Sequence, residues 1–120
     1  MIIRRGTFKG FNWFVRLTAA SIKCAYVLVP NELFKSPEQV IANIDLHGGC
    51  TYFDSRFPDV QIAVPESHIV IGWDYGHDTD IKYQLINNYV HIRTVVSDDD
   101  IIKDIADAIE QIEAYKKKQS

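Results

Sequence analysis

The sequence predicts an α+β fold, a twisted antiparallel sheet with one C-terminal amphipathic helix packed on one face. Three observations predict it. Aromatic and β-branched runs separated by turn residues fill most of the chain up to residue 96. A single apolar repeat at three- and four-residue spacing follows, in Ile101, Ile105, Ala108, Ile109 and Ile112. Strands grouped ahead of a helix, rather than alternating with helices, give segregated layers.

Each element has a local reason. FNWFVRL (11–17) is aromatic and β-branched, and KCAYVLVP (23–30) continues that character until Pro30 stops it. SPEQVIA (36–42) offers Ser36 as an N-cap, Pro37 at the first helical position and Glu38 in the first turn, enough for one or two helical turns. NIDL (43–46) and TYF (51–53) read as strand-like segments flanking Gly48 and Gly49, a pair suited to positive φ or close backbone approach. DVQIAVP (59–65) alternates, with Val60, Ile62 and Val64 on one face. HIVIGWDY (68–75) is almost continuously apolar, as a central strand buried on both sides would be. YVHIRTVV (89–96) alternates again. The helix then runs over 97–117: Ser97 caps it, Asp98, Asp99 and Asp100 sit at the positive end of its dipole, and Lys116, Lys117 and Lys118 occupy its last turn.

Bulk properties bound the function. The 120 residues suit one domain, 1–120, able to bury its own core. Hydrophobic content of 47% and charged content of 24% are those of an ordinary folded chain. Residues 1–97 carry nine Lys/Arg and nine Asp/Glu; residues 98–120 carry four and seven, which gives the net charge of -3. No basic face emerges, so duplex nucleic acid is not the expected partner. Cys24 and Cys50 are too few for a disulfide framework and are not spaced as a metal pair. The N-terminus lacks a signal-peptide core and no apolar run approaches a membrane span, so a cytoplasmic protein with no membrane partner is expected. The apolar FNWFV segment, read as a free sheet edge, points to a homo-oligomer.

Two polar stretches carry the candidate chemistry, DLHGGCTYFD (45–54) and GWDYGHDTD (72–80). Around His47, Gly48 and Gly49 the backbone lacks Cβ atoms and could cradle an anion, although a glycine pair is also an ordinary turn. Asp74, His77, Asp78 and Asp80 are donors of the kind that bind divalent metals, but their spacing matches no established metal signature and clustered Asp is also turn chemistry. No local signature pairs Cys50 with His47 or His77 as nucleophile and base, and nothing sets the carboxylates of Asp78 and Asp80 face to face. His68 and His91 lie inside strand patterns as structural or solvent-facing groups, and Trp13, Phe11 and Phe14 read as sheet packing. Arg93, between Ile92 and Thr94, either reaches solvent or meets a ligand or carboxylate.

Tyr26-Val27 before Pro30, the D-x-H-G-G-x-T-Y run from Asp45 to Tyr52, G-W-D at 72–74 and H-D-x-D at 77–80, then a terminal helix, resemble a family of small uncharacterised proteins of bacteriophage and prophage genomes. The resemblance covers about residues 24–113, rests on the motifs more than on the overall pattern, and leaves residues 1–22 outside it. The chain departs from the family in Tyr75-Gly76 before His77 and in Thr79, where glycine is usual. The resemblance implies a phage accessory protein of the bacterial host cytoplasm. By analogy with other small phage proteins, it suggests counter-defence by sequestering a nucleotide immune signal.

Three functional readings follow. The first is non-catalytic binding of a small polar ligand, a nucleotide being the leading candidate, with no cofactor or metal. Its site is a single pocket that draws on both stretches: His47, Gly48, Gly49, Tyr52, Trp73, Asp74, His77 and Asp80. The glycine backbone and His47 would face anionic groups, while Tyr52 or Trp73 would stack on a base. The second is a small hydrolase using Asp74, His77 and Asp80, with or without a divalent metal. The third is an inhibitor that contacts a host protein, for which the motif loops are scaffold.

Overall fold

The structure is a computed structural model describing residues 1–119. Its strands are β1 (Ile2–Phe8), β2 (Phe11–Leu17), β3 (Lys23–Pro30), β4 (Tyr52–Asp54), β5 (His68–Asp74), β6 (Ile81–Ile86) and β7 (Tyr89–Thr94); its helices are α1 (Pro37–Asn43) and α2 (Asp98–Lys118). Five strands form a wholly antiparallel sheet in the order β1-β2-β3-β5-β4, and β6 and β7 pair as a separate two-stranded ribbon. The α+β expectation is met. The helix starts as its sequence demands, with the Ser97 hydroxyl accepting from Asp100 N at 3.1 Å.

Side-chain alternation along β3 and β5 builds two cores, one on each face of the sheet. Ala25, Val27 and Val29 of β3 and Ile69, Ile71 and Trp73 of β5 face the helices, where Ile101, Ile105, Ala108, Ile109 and Ile112 of α2 cover them. From α1 and its flanks, Phe34, Val40, Ile44 and Leu46 complete that layer. The other face holds Cys24, Tyr26, Leu28 and Val70 with Phe14 and Phe57. There the Phe14 and Tyr26 rings stack 4.7 Å apart, and Phe57 meets both edge-on at 4.8 Å. Gly72 makes this possible, because a Cβ on it would stand 2.5 Å from Tyr26 Cδ1. β5 is therefore buried on both faces, as its unbroken apolar run predicts.

Four expectations need correction. DVQIAVP is not a strand: β4 already occupies the free edge of β5. The Asp59 carboxylate instead accepts from Gln61 N at 2.8 Å, which fixes a turn. Ile62 and Val64 then lean on the aromatic core while Val60 is fully exposed. NIDL is not a strand either. Its alternation of exposed Asn43 and Asp45 with buried Ile44 and Leu46 reflects a helix exit, where Ile44 N donates to Val40 O at 2.8 Å. YVHIRTVV does contain a strand, but it pairs with β6 outside the main sheet. FNWFV lies between β1 and β3, so the argument for association from a bare apolar edge falls away; the charged β1 is the edge.

The ribbon is the fold's odd feature. Tyr83, Leu85, Tyr89 and Val90 are each more than 60% exposed on it. The chain's radius of gyration is 15.0 Å and its longest extent is 56 Å against 28 and 24 Å across. A tightly packed chain of this length has a radius of about 14 Å. Among the described residues, no helix is long and apolar enough to cross a membrane. His91 and Arg93 lie on this ribbon, exposed to solvent.

The α2 interface gives a direct test. Ile105 is 1% exposed against the sheet. Ile105→Asp should cost about 3 kcal/mol or more, since it buries a charge with no partner and loses apolar contact. Urea unfolding of the two proteins measures the difference, and equal midpoints would refute the packing.

Candidate functional site

The 44–50 loop and the loop after β5 meet on the helix-covered face. The first is pinned to α2 by a reciprocal pair: Asp45 N donates to Gln111 Oε1 at 2.7 Å, and Gln111 Nε2 donates to Asp45 O at 3.1 Å. Tyr75 holds the second. Its N–H donates to Lys23 O at 2.9 Å, its ring is wholly buried, and its hydroxyl donates to Asp104 Oδ2 of α2 at 2.7 Å. The Trp73 indole N–H donates to that same hydroxyl at 2.9 Å. Burial pushes the Tyr75 phenol well above its ordinary pKa, so the group stays a neutral hydrogen-bond relay.

Between these loops His47 stacks on Tyr75, with ring centroids 4.5 Å apart. Its Nε2 lies 2.9 Å from both oxygens of Asp80, and His77 Nδ1 lies 3.1 Å from Asp80 Oδ2. The His77 backbone N–H donates to the same oxygen at 3.2 Å. Asp80 is 3% exposed, whereas the His47 and His77 side chains are 34% and 46% exposed. Burial by itself would raise the Asp80 pKa. The hydrogen bonds from His47, from the His77 ring and from the His77 backbone outweigh it and hold the carboxyl below its usual range. One ligand atom from each of His47, His77 and Asp80 falls within 4.8 Å of the others, close enough to share a cation.

Gly48 is required where it stands. Its φ is +71°, and a Cβ there would lie 2.3 Å from His77 Cε1, so the ring rests against bare backbone. Gly49, at φ +87°, donates its N–H to Leu46 O at 2.9 Å, closing the turn rather than facing a ligand. Beside the cluster opens a cleft of about 360 Å³ lined by Asp45, Leu46, His47, Gly48, Trp73, Asp104, Asp107 and Gln111. Three carboxylates line it, so a free anion would meet repulsion there.

The structure thus brings together His47, Gly48, His77 and Asp80 from the two polar stretches, with Gly49 supporting the turn. It separates the rest. Asp74 pairs with Cys24 across the strands and projects, like Cys24, to the aromatic face, where its Oδ1 accepts from Gly76 N at 3.0 Å. Tyr52 is on that face too, edge-on to Tyr26 at 5.5 Å, with its hydroxyl donating to Arg56 O at 2.6 Å. Neither reaches the cleft, because alternation along β5 and β4 turns them away. Trp73 contributes to the cleft wall but is 1% exposed, so its ring has no face to offer a base. Cys50, which could have served as a nucleophile, has its thiol pKa raised by burial and directs that thiol at Tyr52 O, 3.3 Å away. Asp78 is exposed and bonds to neither imidazole.

Sequence reasoning missed Tyr75, Asp104, Asp107 and Gln111. The last three fall at i, i+3 and i+7 along α2, a polar stripe bordering the apolar one, and that spacing was the available signal.

The Asp80 linkage predicts a pH dependence. Its folded pKa lies below the value of about 3.9 for an unfolded Asp. The carboxylate therefore adds stability that is present above pH of about 4 and is lost as pH falls through the depressed folded value. Asp80→Asn should be less stable than the parent at neutral pH, with the gap narrowing as pH falls below about 4. Denaturant unfolding across the acid range checks it, and a constant gap would contradict the linkage. Gly48→Ala should also detach His77 from Asp80, visible as a shift in the His77 ring signals by NMR. Comparison with family models, curated proteins and solved structures finds no match to this chain, so the functional reading rests on the geometry.

Proposed function

We propose that the protein is a non-catalytic binding protein for a small polar ligand, and that His47, His77 and Asp80 hold a divalent cation through which the ligand attaches. The observation that carries the reading is the convergence of two imidazoles, from segments distant in sequence, on one buried carboxylate at the mouth of an acidic cleft. Two nitrogens and one oxygen suit a borderline cation such as Zn²⁺, with protein ligands at about 2.0–2.2 Å and an outward position left open. The imidazole nitrogens already stand 2.9 and 3.1 Å from the carboxylate, so a cation would take the place of the hydrogen bonds between them.

The cation also answers the charge of the cleft. Asp45, Asp104 and Asp107 oppose a free phosphate, whereas a metal-held phosphate is neutralised before it arrives. This favours a ligand carried as its metal complex, and a nucleotide fits that description. The phage-type motifs supply the setting: a counter-defence protein in the host cytoplasm that withholds a nucleotide immune signal. The hydrolase reading uses the same three residues, without Asp74, and would turn the open metal position over to a water.

Isothermal titration with Zn²⁺ and Mn²⁺, then with nucleotides in the presence and absence of metal, tests the proposal. Metal is expected to bind, and nucleotide to bind only with metal and to be recovered unchanged. His77→Ala, whose side chain is half exposed, should weaken metal binding at least tenfold and lower the metal-free Tm only modestly, since its backbone N–H still donates to Asp80. Recovery of cleaved nucleotide would replace the binding protein with a hydrolase. Failure to bind any metal would leave the three residues as a clamp between loops and favour contact with a host protein.

A further inference from the structure

The β6–β7 ribbon is amphipathic in a way that the rest of the chain does not satisfy. Register places Tyr83 opposite Ile92 and Leu85 opposite Val90, so these four share one face. Their exposures are 62%, 41%, 70% and 66%. The other face pairs Lys82 with Arg93, Gln84 with His91 and, next to the turn, Ile86 with Tyr89, all six exposed. A two-stranded ribbon is marginal in water unless its apolar face is covered. Here the strands are locked by Asn87 and Asn88 at φ +50° and +68°, the conformation of a tight two-residue hairpin turn. The ribbon is a shaped arm whose apolar face is bare.

We infer that this face is a self-association surface, and that its occupant is the same face of a second copy of the chain. Charge selects the face. The apolar side carries no ionised group and can be buried against its own image without desolvating a charge, whereas burying the opposite side would take Lys82 and Arg93 out of water. Shape allows the match. With the second arm turned end for end, the Leu85–Val90 level of one copy lies over the Tyr83–Ile92 level of the other, at the usual sheet spacing of about 10 Å. Six-residue strands reach about 20 Å, which gives the arms length to overlap.

Area sets the strength. The four side chains present on the order of 400 Å² per copy, the size at which a bare apolar patch marks an interaction site. Two such faces bury about 800 Å² together, below the roughly 1,200–2,000 Å² of a stable interface. The association is therefore reversible and concentration-dependent, and each chain keeps its own core and its own His47 cleft. This inference does not depend on the ligand reading.

Sedimentation of the full chain from a few to a few hundred micromolar, without ligand or metal, is the test. The parent protein should pass from monomer to dimer across that range. Leu85→Glu should remain monomeric throughout while keeping the far-UV spectrum and thermal unfolding of the main sheet, because the ribbon lies outside that sheet. Tyr83→Lys should also be monomeric alone. An equimolar mixture of the two variants should regain dimer, since the ammonium introduced in one chain then lies over the carboxylate introduced in the other. A parent protein that stays monomeric at the highest concentration would overturn the proposal, as would a dimer indifferent to Leu85→Glu. Parent protein that binds anionic phosphatidylserine vesicles through the arm without self-associating would assign the face to a membrane surface instead.

Discussion

The alternation of side chains along β5 is the constraint on which the rest depends. Successive residues of an extended strand point to opposite faces, and β5 is covered on both. Ile69, Ile71 and Trp73 go to the helices, while Val70, Gly72 and Asp74 go to the aromatic layer. That division fixes where each following residue can act. Tyr75 continues the helix-side series and becomes the buried post that joins Trp73, Asp104 and His47. Shifting the register by one residue would exchange the two sets and dissolve both cores.

The two faces are covered by different means. On one side a 21-residue helix with a regular apolar stripe supplies most of the cover. On the other, Phe57, Ile62 and Val64 come from an irregular segment, and the aromatic rings Phe14, Tyr26, Tyr52 and Phe57 fill the space by edge and face contacts. Large rings suit that role: Phe14, Tyr26 and Tyr52 stand on paired strands, and Phe57 reaches them from a segment that has no hydrogen-bond ladder to align it. The polar groups are distributed accordingly. The helix side carries a stripe of Asp104, Asp107 and Gln111 next to its apolar stripe, and the loop bearing His47 is tied to it there.

Electrostatics then gives the site its character. Asp80 is buried yet ionised, because three hydrogen-bond donors from two loops surround its carboxylate. A buried carboxylate held in this way orients both imidazoles, and it makes the loops that carry them mutually dependent. Gly48 is the steric counterpart, leaving the space into which the His77 ring fits. The same cluster is suited to bind a cation and, with none bound, to hold the loops in place.

The sequence by itself determined what depends on neighbours a few residues away. Capping at Ser36 and Ser97, the apolar period of α2, and the runs that make β2, β3 and β5 all follow from local propensity and periodicity, and their bounds were legible. Local patterns misled where alternation arose without a ladder partner, as in NIDL and DVQIAVP, because a strand exists only if another strand is free to pair with it. The site divided in the same way. His47, Gly48, His77 and Asp80 stand out in the sequence by residue type, but the His47–Asp80 contact crosses 33 residues, and only the tertiary path over the sheet sets that distance. Tyr52 and Asp74 looked equivalent to them in sequence. The face on which each side chain emerges depends on pairing register, a property of two strands together that neither segment encodes alone.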